Sequence, residues 1–483
     1  MATGIPKPRL ERKSVLPALP KGGQPHLAYE GKRSDKSILD TSPADFVSVW
    51  GETSSVNRLY YGDNLQVLAS LLHDPDIRGK VRLVYIDPPY ATNSVFQSRS
   101  QTDAYSDLLA GSHYIEFLRQ RLILLRELLA EDGSIYVHLD ENMAFHIKII
   151  MDEIFGQDNF RNWITRKKCN PKNYTRRTYG NISDFILFYS KTDEYVWHRP
   201  VEGWTPERAA REYSYIEGTT GRRYKKVPVH APGVRNGSTG KSWRGMLPPP
   251  GKHWQYTPDK LDEFDARGEI YWSSNGNPRR KVYLDESEGA PVQDIWLDYR
   301  DAHNQNIEIT GYPTEKNPNL LARIIEASSN SGDLVLDCFC GSGTLLSEAS
   351  SLNRRWIGVD NSLEAIRTTL RRFALGTQPM GDFVAARNGG EAKSVQSEML
   401  SLFDLPDAPK LKKESSKYQP ITNLVFLSEE SLAPKLSSIL KEWKKNVEPM
   451  KGDLFLKEQP AKYITRTVVK KSRRKHKTKS RRF

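Results

Sequence analysis

From Arg58 onward the apolar residues follow two alternating rhythms. RLYYG and VRLVYID are short and almost continuously apolar, as strands buried on both faces are. NLQVLASLL and HYIEFLRQRLILLRELLA carry the i, i+3, i+4 spacing of helices, the second ended by Asp132-Gly133. SIYVHLD predicts a further buried strand, and AFHIKIIMDEIF a helix with Gly156 just beyond it. This rhythm breaks near Phe160 and resumes near residue 309 with NLLARIIEASS, DLVLD, a glycine-rich turn, TLLSEASSL and WIGVD. Strands alternating with helices predict a mostly parallel α/β sheet with helices on both faces.

The pattern divides the chain of 483 residues into a leader rich in Pro, Gly, Ser and Lys (1–55) and an α/β half (56–158). An insert punctuated by Gly and Pro (159–308), a second α/β half (309–385), a polar accessory region (386–465) and a basic tail (466–483) follow. Within 386–465, FLSEESLAPKLSSILKEWKK predicts one or two helices. No internal repeat is present.

Charge sharpens this division. The formal net charge is +13, yet residues 161–252 alone hold nineteen Lys/Arg against seven Asp/Glu, and 466–483 hold ten Lys/Arg and no acid. Two basic blocks on an acidic body suit a polyanion held at particular places. For the tail alone, solvated surface is the preferred reading. In the insert, Trp163, Tyr174, Tyr179, Trp197, Trp204, Tyr224 and Trp243 interleave with the cations, as base-stacking surfaces do.

No run approaches eighteen apolar residues, so no membrane span is expected, and the first residues lack the apolar core of a signal peptide. Three cysteines cannot build a disulfide framework, which points to a reducing cytoplasm. Cys338 and Cys340 lack further ligands at metal spacing, so no metal is expected.

Two stretches carry candidate chemistry. In LVLDCFCGSGT, a strand ends at Asp337, Gly341 and Gly343 follow, and a helix starts near Thr344; the next strand ends at Asp360. Glycines let a ligand approach the backbone, and an acid after the second strand can accept from ribose hydroxyls. The same residues also suit a tight turn with an incidental surface acid. In VYIDPPY, Asp87 should close a strand at the carboxyl edge of the sheet, where open α/β folds bind ligands. Pro88 and Pro89 stiffen the turn and leave carbonyls able to accept, and Tyr90 offers a flat face. A planar base with an exocyclic NH2 fits that set. So does a stiff loop with a capping Asp.

Together, IDPPY and FxGxGT resemble the DNA amino-methyltransferases that use S-adenosylmethionine. The motif order, with a long insert between, resembles their beta class: a circularly permuted Rossmann-like fold with an inserted target-recognition domain. LYYGDNLQVLASL, GSIYVHLDENMAFHIKIIMDEIFGQDNFRNWI, ISDFILFYSK and GYPTEKNPNLLARIIEASS are similar to the modification subunits of type III restriction systems and their smaller relatives. The resemblance implies a base pocket of Asp87, Pro88, Pro89 and Tyr90, with adenine N6 as target. It places Asp337, Phe339, Gly341, Gly343 and Thr344 against the cofactor's methionine part, Asp360 at its ribose, Thr314 and Lys316 at its carboxylate, and Asp63 near its adenine. Cytosine N4 presents a similar amino group. Cys338, Cys340, Leu345 and Asn317 depart from the family's usual residues. Double-stranded DNA is the implied partner, with location on the nucleoid through it, alongside a separate restriction nuclease and a homodimer. No helicase G-x-x-x-x-G-K-[ST] motif is present.

Overall fold

The structure, a computed structural model, describes residues 25–89, 96–97, 103–105, 111–169, 177–299, 308–310, 312, 315–379 and 418–455. Its first α/β half contains β1 (Phe46–Trp50), β2 (Arg58–Tyr61), α1 (Asn64–Leu72), β3 (Val81–Ile86), α2 (Ser112–Leu128), β4 (Leu129–Leu139) and α3 (Ala144–Phe155). Next come β5 (Phe160–Lys167), β6 (Ser183–Ser190), β7 (Tyr215–Ile216), β8 (Arg223–Pro228), α4 (Pro258–Ala266), β9 (Ile270–Trp272), β10 (Pro278–Tyr283) and β11 (Ile295–Trp296). The second half supplies α5 (Pro318–Ser328), β12 (Leu334–Asp337), α6 (Thr344–Ser351), β13 (Arg355–Asp360) and α7 (Leu363–Leu375), before β14 (Val425–Glu429) and α8 (Ser437–Phe455).

Ten of these strands make one sheet, in the spatial order β1-β14-β2-β13-β12-β3-β4-β6-β5-β11. The central six, β14 to β4, are parallel. Antiparallel pairings flank them, β1 on β14 and β6 on β4. Apolar stripes on α1, α2 and α3 cover one face through Leu68, Leu122 and Ile147. Stripes on α5, α6, α7 and α8 cover the other through Leu321, Leu346, Leu370 and Trp443. This is the layered α/β architecture expected from the alternating pattern. Strands β12 and β13 wedge between β2 and β3, so residues about 250 positions apart in sequence end on one rim.

Several expectations shift. The insert is narrower than 159–308, because β5, β6 and β11 belong to the main sheet. Their inward residues Ile164, Ile186, Phe188 and Trp296 join its core. The separate unit lies between them: a four-stranded sheet β7-β8-β10-β9 and a small core of Val229, Trp243, Trp254, Leu261, Phe264 and Ile270. Several aromatics expected to stack on bases are packing residues: Trp243 and Tyr224 are buried, and Trp163 rests between Phe145 and Phe185. Tyr174 lies outside the described residues.

The leader and the C-terminal region also contribute to the sheet. FLSE is a strand and not the start of a helix; as part of β14 it pairs with both β1 and β2. Asn57 fastens this join, its side-chain amide donating to Asn423 O at 2.9 Å. Finally, α2 stops at Leu128, earlier than Asp132-Gly133 suggests. Those two residues lie inside β4, where a side chain at Gly133 would approach Val81 O to 2.9 Å.

Candidate active site

β3, β12 and β13 are parallel neighbours, so Asp87, Asp337 and Asp360 stand at the same carboxyl-end rim. Strand spacing puts the outer two roughly 10 Å apart. Open α/β sheets bind ligands at such rims. No helix among the described residues is long and apolar enough to cross a membrane.

Asp87 leaves β3 two positions after Tyr85, on the face covered by α5. Lys316, two residues before α5, brings Nζ to 2.9 Å from Asp87 Oδ2. The other oxygen, Oδ1, is buried and has no hydrogen-bond partner among the described residues. Burial, the largest influence, would lower the Lys316 pKa, but Asp87, Tyr85 and Asp184 together outweigh it and the net shift is upward. Lys316, expected at a cofactor carboxylate, thus lies against the base-pocket acid. Pro88 is buried and Pro89 half-buried. Tyr90 and Thr314 lie outside the described residues.

The glycine loop is held by its own rim. Asp337 Oδ1 accepts from Phe339 N–H at 2.9 Å. Asp360 Oδ2 accepts from Gly341 N–H and Oδ1 from Ser362 N–H, both at 2.9 Å. Gly341 and Gly343 have φ of +50° and +70°, the left-handed region that favours glycine. At Gly343 a Cβ would also meet Thr369 Cγ2 at 2.7 Å.

Thr369 donates to Gly341 O at 2.9 Å, and Arg372 Nε to Ser342 O at 2.7 Å. Arg372 also reaches Thr344 Oγ1 at 3.1 Å and pairs with buried Glu315. Glu315 in turn accepts from Thr310. The loop and the segment carrying Lys316 are therefore clamped to each other through α7. Asn317, a departure from the family pattern, caps α5 by accepting from Asn319 N–H.

Asp63 caps α1, accepting from Leu65 N–H at 2.7 Å, and lies 3.2 Å from Arg121 Nη2. It follows β2, whose Tyr61 is paired with Asp360. Asn64 donates to Cys338 O at 2.7 Å. Phe339 packs against Phe117, over which the Arg121 guanidinium lies at 3.6 Å. Arg121, Thr369 and Arg372 escaped the sequence reading, because on a helix they look like any polar position near an apolar stripe.

Burial dominates the shifts of the rim acids. Burial pushes Asp337 well above the usual carboxylate range; the Phe339 N–H opposes this, and Asp87 and Asp360 add to it. Burial pushes Asp360 up to about 6 against the pull of three backbone N–H groups. Burial likewise raises the thiols of Cys338 and Cys340 well above the usual value.

A second polar row continues the rim. Tyr85 Oη lies 2.8 Å from His138 Nδ1, and His138 Nε2 2.9 Å from Asp184 Oδ2. Arg166 grips Asp184 with Nε and Nη2, at 2.8 and 2.6 Å. All four side chains are almost fully buried. Burial lowers the His138 pKa more than Asp184 raises it, so the ring is neutral. Burial would raise Asp184, but His138 and Arg166 hold it well below the usual range. His138 is fully interior although it stands one residue from the end of β4.

A DNA methylase family model matches residues 81–371, more than half of the chain. The type II methyltransferase M.EcaI of Enterobacter cloacae is 49% identical over 400 residues, covering 80% of this chain and 87% of that protein. The type II methyltransferase M.KpnI of Klebsiella pneumoniae is 27% identical over 336 residues, covering 62% and 78%. The StyLTI Mod subunit, a type III restriction-modification enzyme subunit of Salmonella typhimurium, is 27% identical over 364 residues and 66% of this chain. The match spans about half of that subunit, 54%. With the IDPPY and glycine-loop strands meeting at one rim, and with these matches, the chain belongs to the N6/N4 DNA methylase family and is a DNA methyltransferase of the restriction-modification type.

Proposed function

We propose that the chain transfers the methyl group of S-adenosylmethionine to the exocyclic N6 of an adenine flipped out of double-stranded DNA. The observation that carries this reading is the carboxylate of Asp87. Lys316 holds one oxygen, and the other is buried, without a partner among the described residues, beside the glycine loop. A buried acceptor left empty is costly, and an amino N–H would satisfy it.

The rim fits the cofactor in charge and shape. Asp87, Asp337 and Asp360 stand at one rim and Lys316 is paired with Asp87, so acidic side chains predominate along the rim, as suits a sulfonium. Each oxygen of Asp360 spends one lone pair on a backbone N–H and keeps another for a ribose hydroxyl. When bound, S-adenosylmethionine supplies an already activated methyl group, so the protein's task is alignment.

Asp87 Oδ1 would accept one N6 hydrogen and the Pro88 carbonyl the other, while Tyr90 stacks on the ring. The lone pair on nitrogen is then turned toward the glycine loop. Such alignment can contribute about 7–11 kcal/mol. Lys316 pairs with Asp87 and holds it in one rotamer, so that its oxygen can orient the amine and pass the surplus proton to water. A stacked base cannot reach the rim, which requires flipping. The insert between β6 and β11 would hold the duplex, and a separate nuclease would complete the restriction-modification pair.

The test is mass spectrometry of nucleosides after incubating protein, cofactor and duplex DNA. N6-methyladenine from the wild type, absent with Asp87→Ala, supports the reading. N4-methylcytosine would overturn the choice of base.

A further inference from the structure

Tyr85 and Asp87 are two positions apart on β3, and β3 is in register with β4 through Tyr85–Tyr136 and Ile86–Val137. Continuing that register sets Asp87 beside His138. The antiparallel partner β6 then offers Asp184, and β5 offers Arg166 in direct register with it. One face of the sheet therefore carries a lateral row of Lys316, Asp87, His138, Asp184 and Arg166, with Tyr85 one pleat below. Its far end reaches β11, the strand on which the insert returns to the sheet: Arg166 is paired with Trp296, and its Nη1 lies 3.3 Å from Tyr299 O just beyond.

The proton positions follow from the partners. Asp184, gripped through both oxygens by Arg166, is ionised and can only accept. His138 must therefore present Nε2–H to Asp184, which leaves Nδ1 as an acceptor for the Tyr85 hydroxyl. That assignment makes the row a one-way chain of donors ending on Asp184, with a neutral ring between two balanced ion pairs. The His138–Asp184 contact is close, at 2.9 Å, but Nε2 is not aligned as a hydrogen bond, so the row is fixed mainly by the Tyr85–His138 bond and the two bonds from Arg166 to Asp184. No step of the proposed transfer uses these four residues, although Lys316 and Asp87 lie next to them.

We propose that Tyr85, His138, Asp184 and Arg166 are positioning residues that lock the Asp87–Lys316 pair in its base-orienting geometry and tie that geometry to the root of the insert. This inference rests on the methyl-transfer reading above. Because the row acts through Asp87, loosening it should slow the methyl-transfer step and spare ground-state binding.

The test is single-turnover methylation by the full chain, with dissociation constants for S-adenosylmethionine and for duplex DNA measured in parallel. Tyr85→Phe removes one hydroxyl and keeps the ring; it should slow the transfer step on the order of tenfold to a hundredfold, with both dissociation constants within about twofold. His138→Gln, able to donate to Asp184, should retain more of the rate than His138→Ala at equal thermal stability. An unchanged rate in Tyr85→Phe would overturn the inference and leave the transfer reading intact. So would a rate loss matched by loss of affinity and melting temperature, which marks a structural role alone. Absence of product from the wild type would instead sink the transfer reading itself.

Discussion

Lys316→Met removes a cation from the base pocket while keeping most of the stem's bulk. At 2.9 Å the gross attraction to Asp87 is about 6 kcal/mol at an effective dielectric of about 20. Desolvation of both ions offsets most of that, so the pair's net worth is far smaller. The substitution, however, leaves a carboxylate with neither oxygen held by its former partner. Removing one member of a buried pair costs about 3–5 kcal/mol, and Asp87, with 19% of its side chain exposed, belongs near the lower end. Urea unfolding at about pH 8 should show a loss of about 3 kcal/mol. In the variant an unpaired, buried carboxylate has a folded pKa above its unfolded value, so its cost is present at high pH and fades as the pH falls through the folded value. Part of the loss should therefore return at about pH 5.5. The native pair has the opposite sign. The Lys316 pKa is raised, so its contribution is complete at neutral pH and is lost only as the pH rises through the folded value. Adding Asp87→Asn to Lys316→Met should recover about 2 kcal/mol of the single variant's loss. Simple addition of the two single losses, or an equal loss at both pH values, would refute the argument.

The remaining expectations concern the loop, the ribose acid, the C-terminal strand and the tail. Gly343→Ala should abolish measurable cofactor binding by calorimetry. Adding Thr369→Ala relieves the clash but leaves about 1–2 kcal/mol of left-handed strain, so recovery should be partial. Because the Asp360 pKa is about 6, cofactor affinity should hold steady above that value and weaken up to tenfold per unit below it. Asp360→Asn should bind weakly with a flat profile over the same range. Phe426→Ala, in the core beneath β14, should cost about 3–5 kcal/mol of unfolding free energy; a neutral result would show that the strand is dispensable. Deleting 466–483, which lies outside the described residues, should flatten the salt dependence of DNA binding by several units of slope, given ten cations there.

What the sequence made legible was local and periodic. VRLVYI had to be a strand buried on both faces, and NLQVLASLL a helix with one apolar stripe; both lie within a residue of their expected bounds. What escaped it was pairing over distance. Nothing in FLSE announces a strand, because its partners are residues 46–50 and 58–61, and the stabilisation comes from filling a gap between them. β5 and β6 were hidden for a different reason. Arg166 and Asp184 look like surface charges in a string of letters, yet each neutralises the other in the interior. The basic character of 161–252 thus mixes a solvated insert with charges that never reach water. At the site, Asp87 and Asp360 were legible as strand ends, whereas the contact of Lys316 with Asp87 depends on how the start of α5 crosses the rim.

That crossing gives the acidic rim its coherence. Carboxylates brought to neighbouring strand ends carry a cost: burial raises both Asp337 and Asp360, and repulsion from Asp87 and Asp360 raises Asp337 further. The fold meets it with a few fixed donors: the N–H groups of Phe339, Gly341 and Ser362, and the ammonium of Lys316. All come from the second half of the chain, while Asp87 comes from the first. Each half alone would therefore leave its part of the site unbalanced, an acid without its cation or a cation without its acid. The interleaving of β12 and β13 between β2 and β3 is thus a condition for the chemistry as well as a packing solution, because it brings together charges that neither half could bury alone.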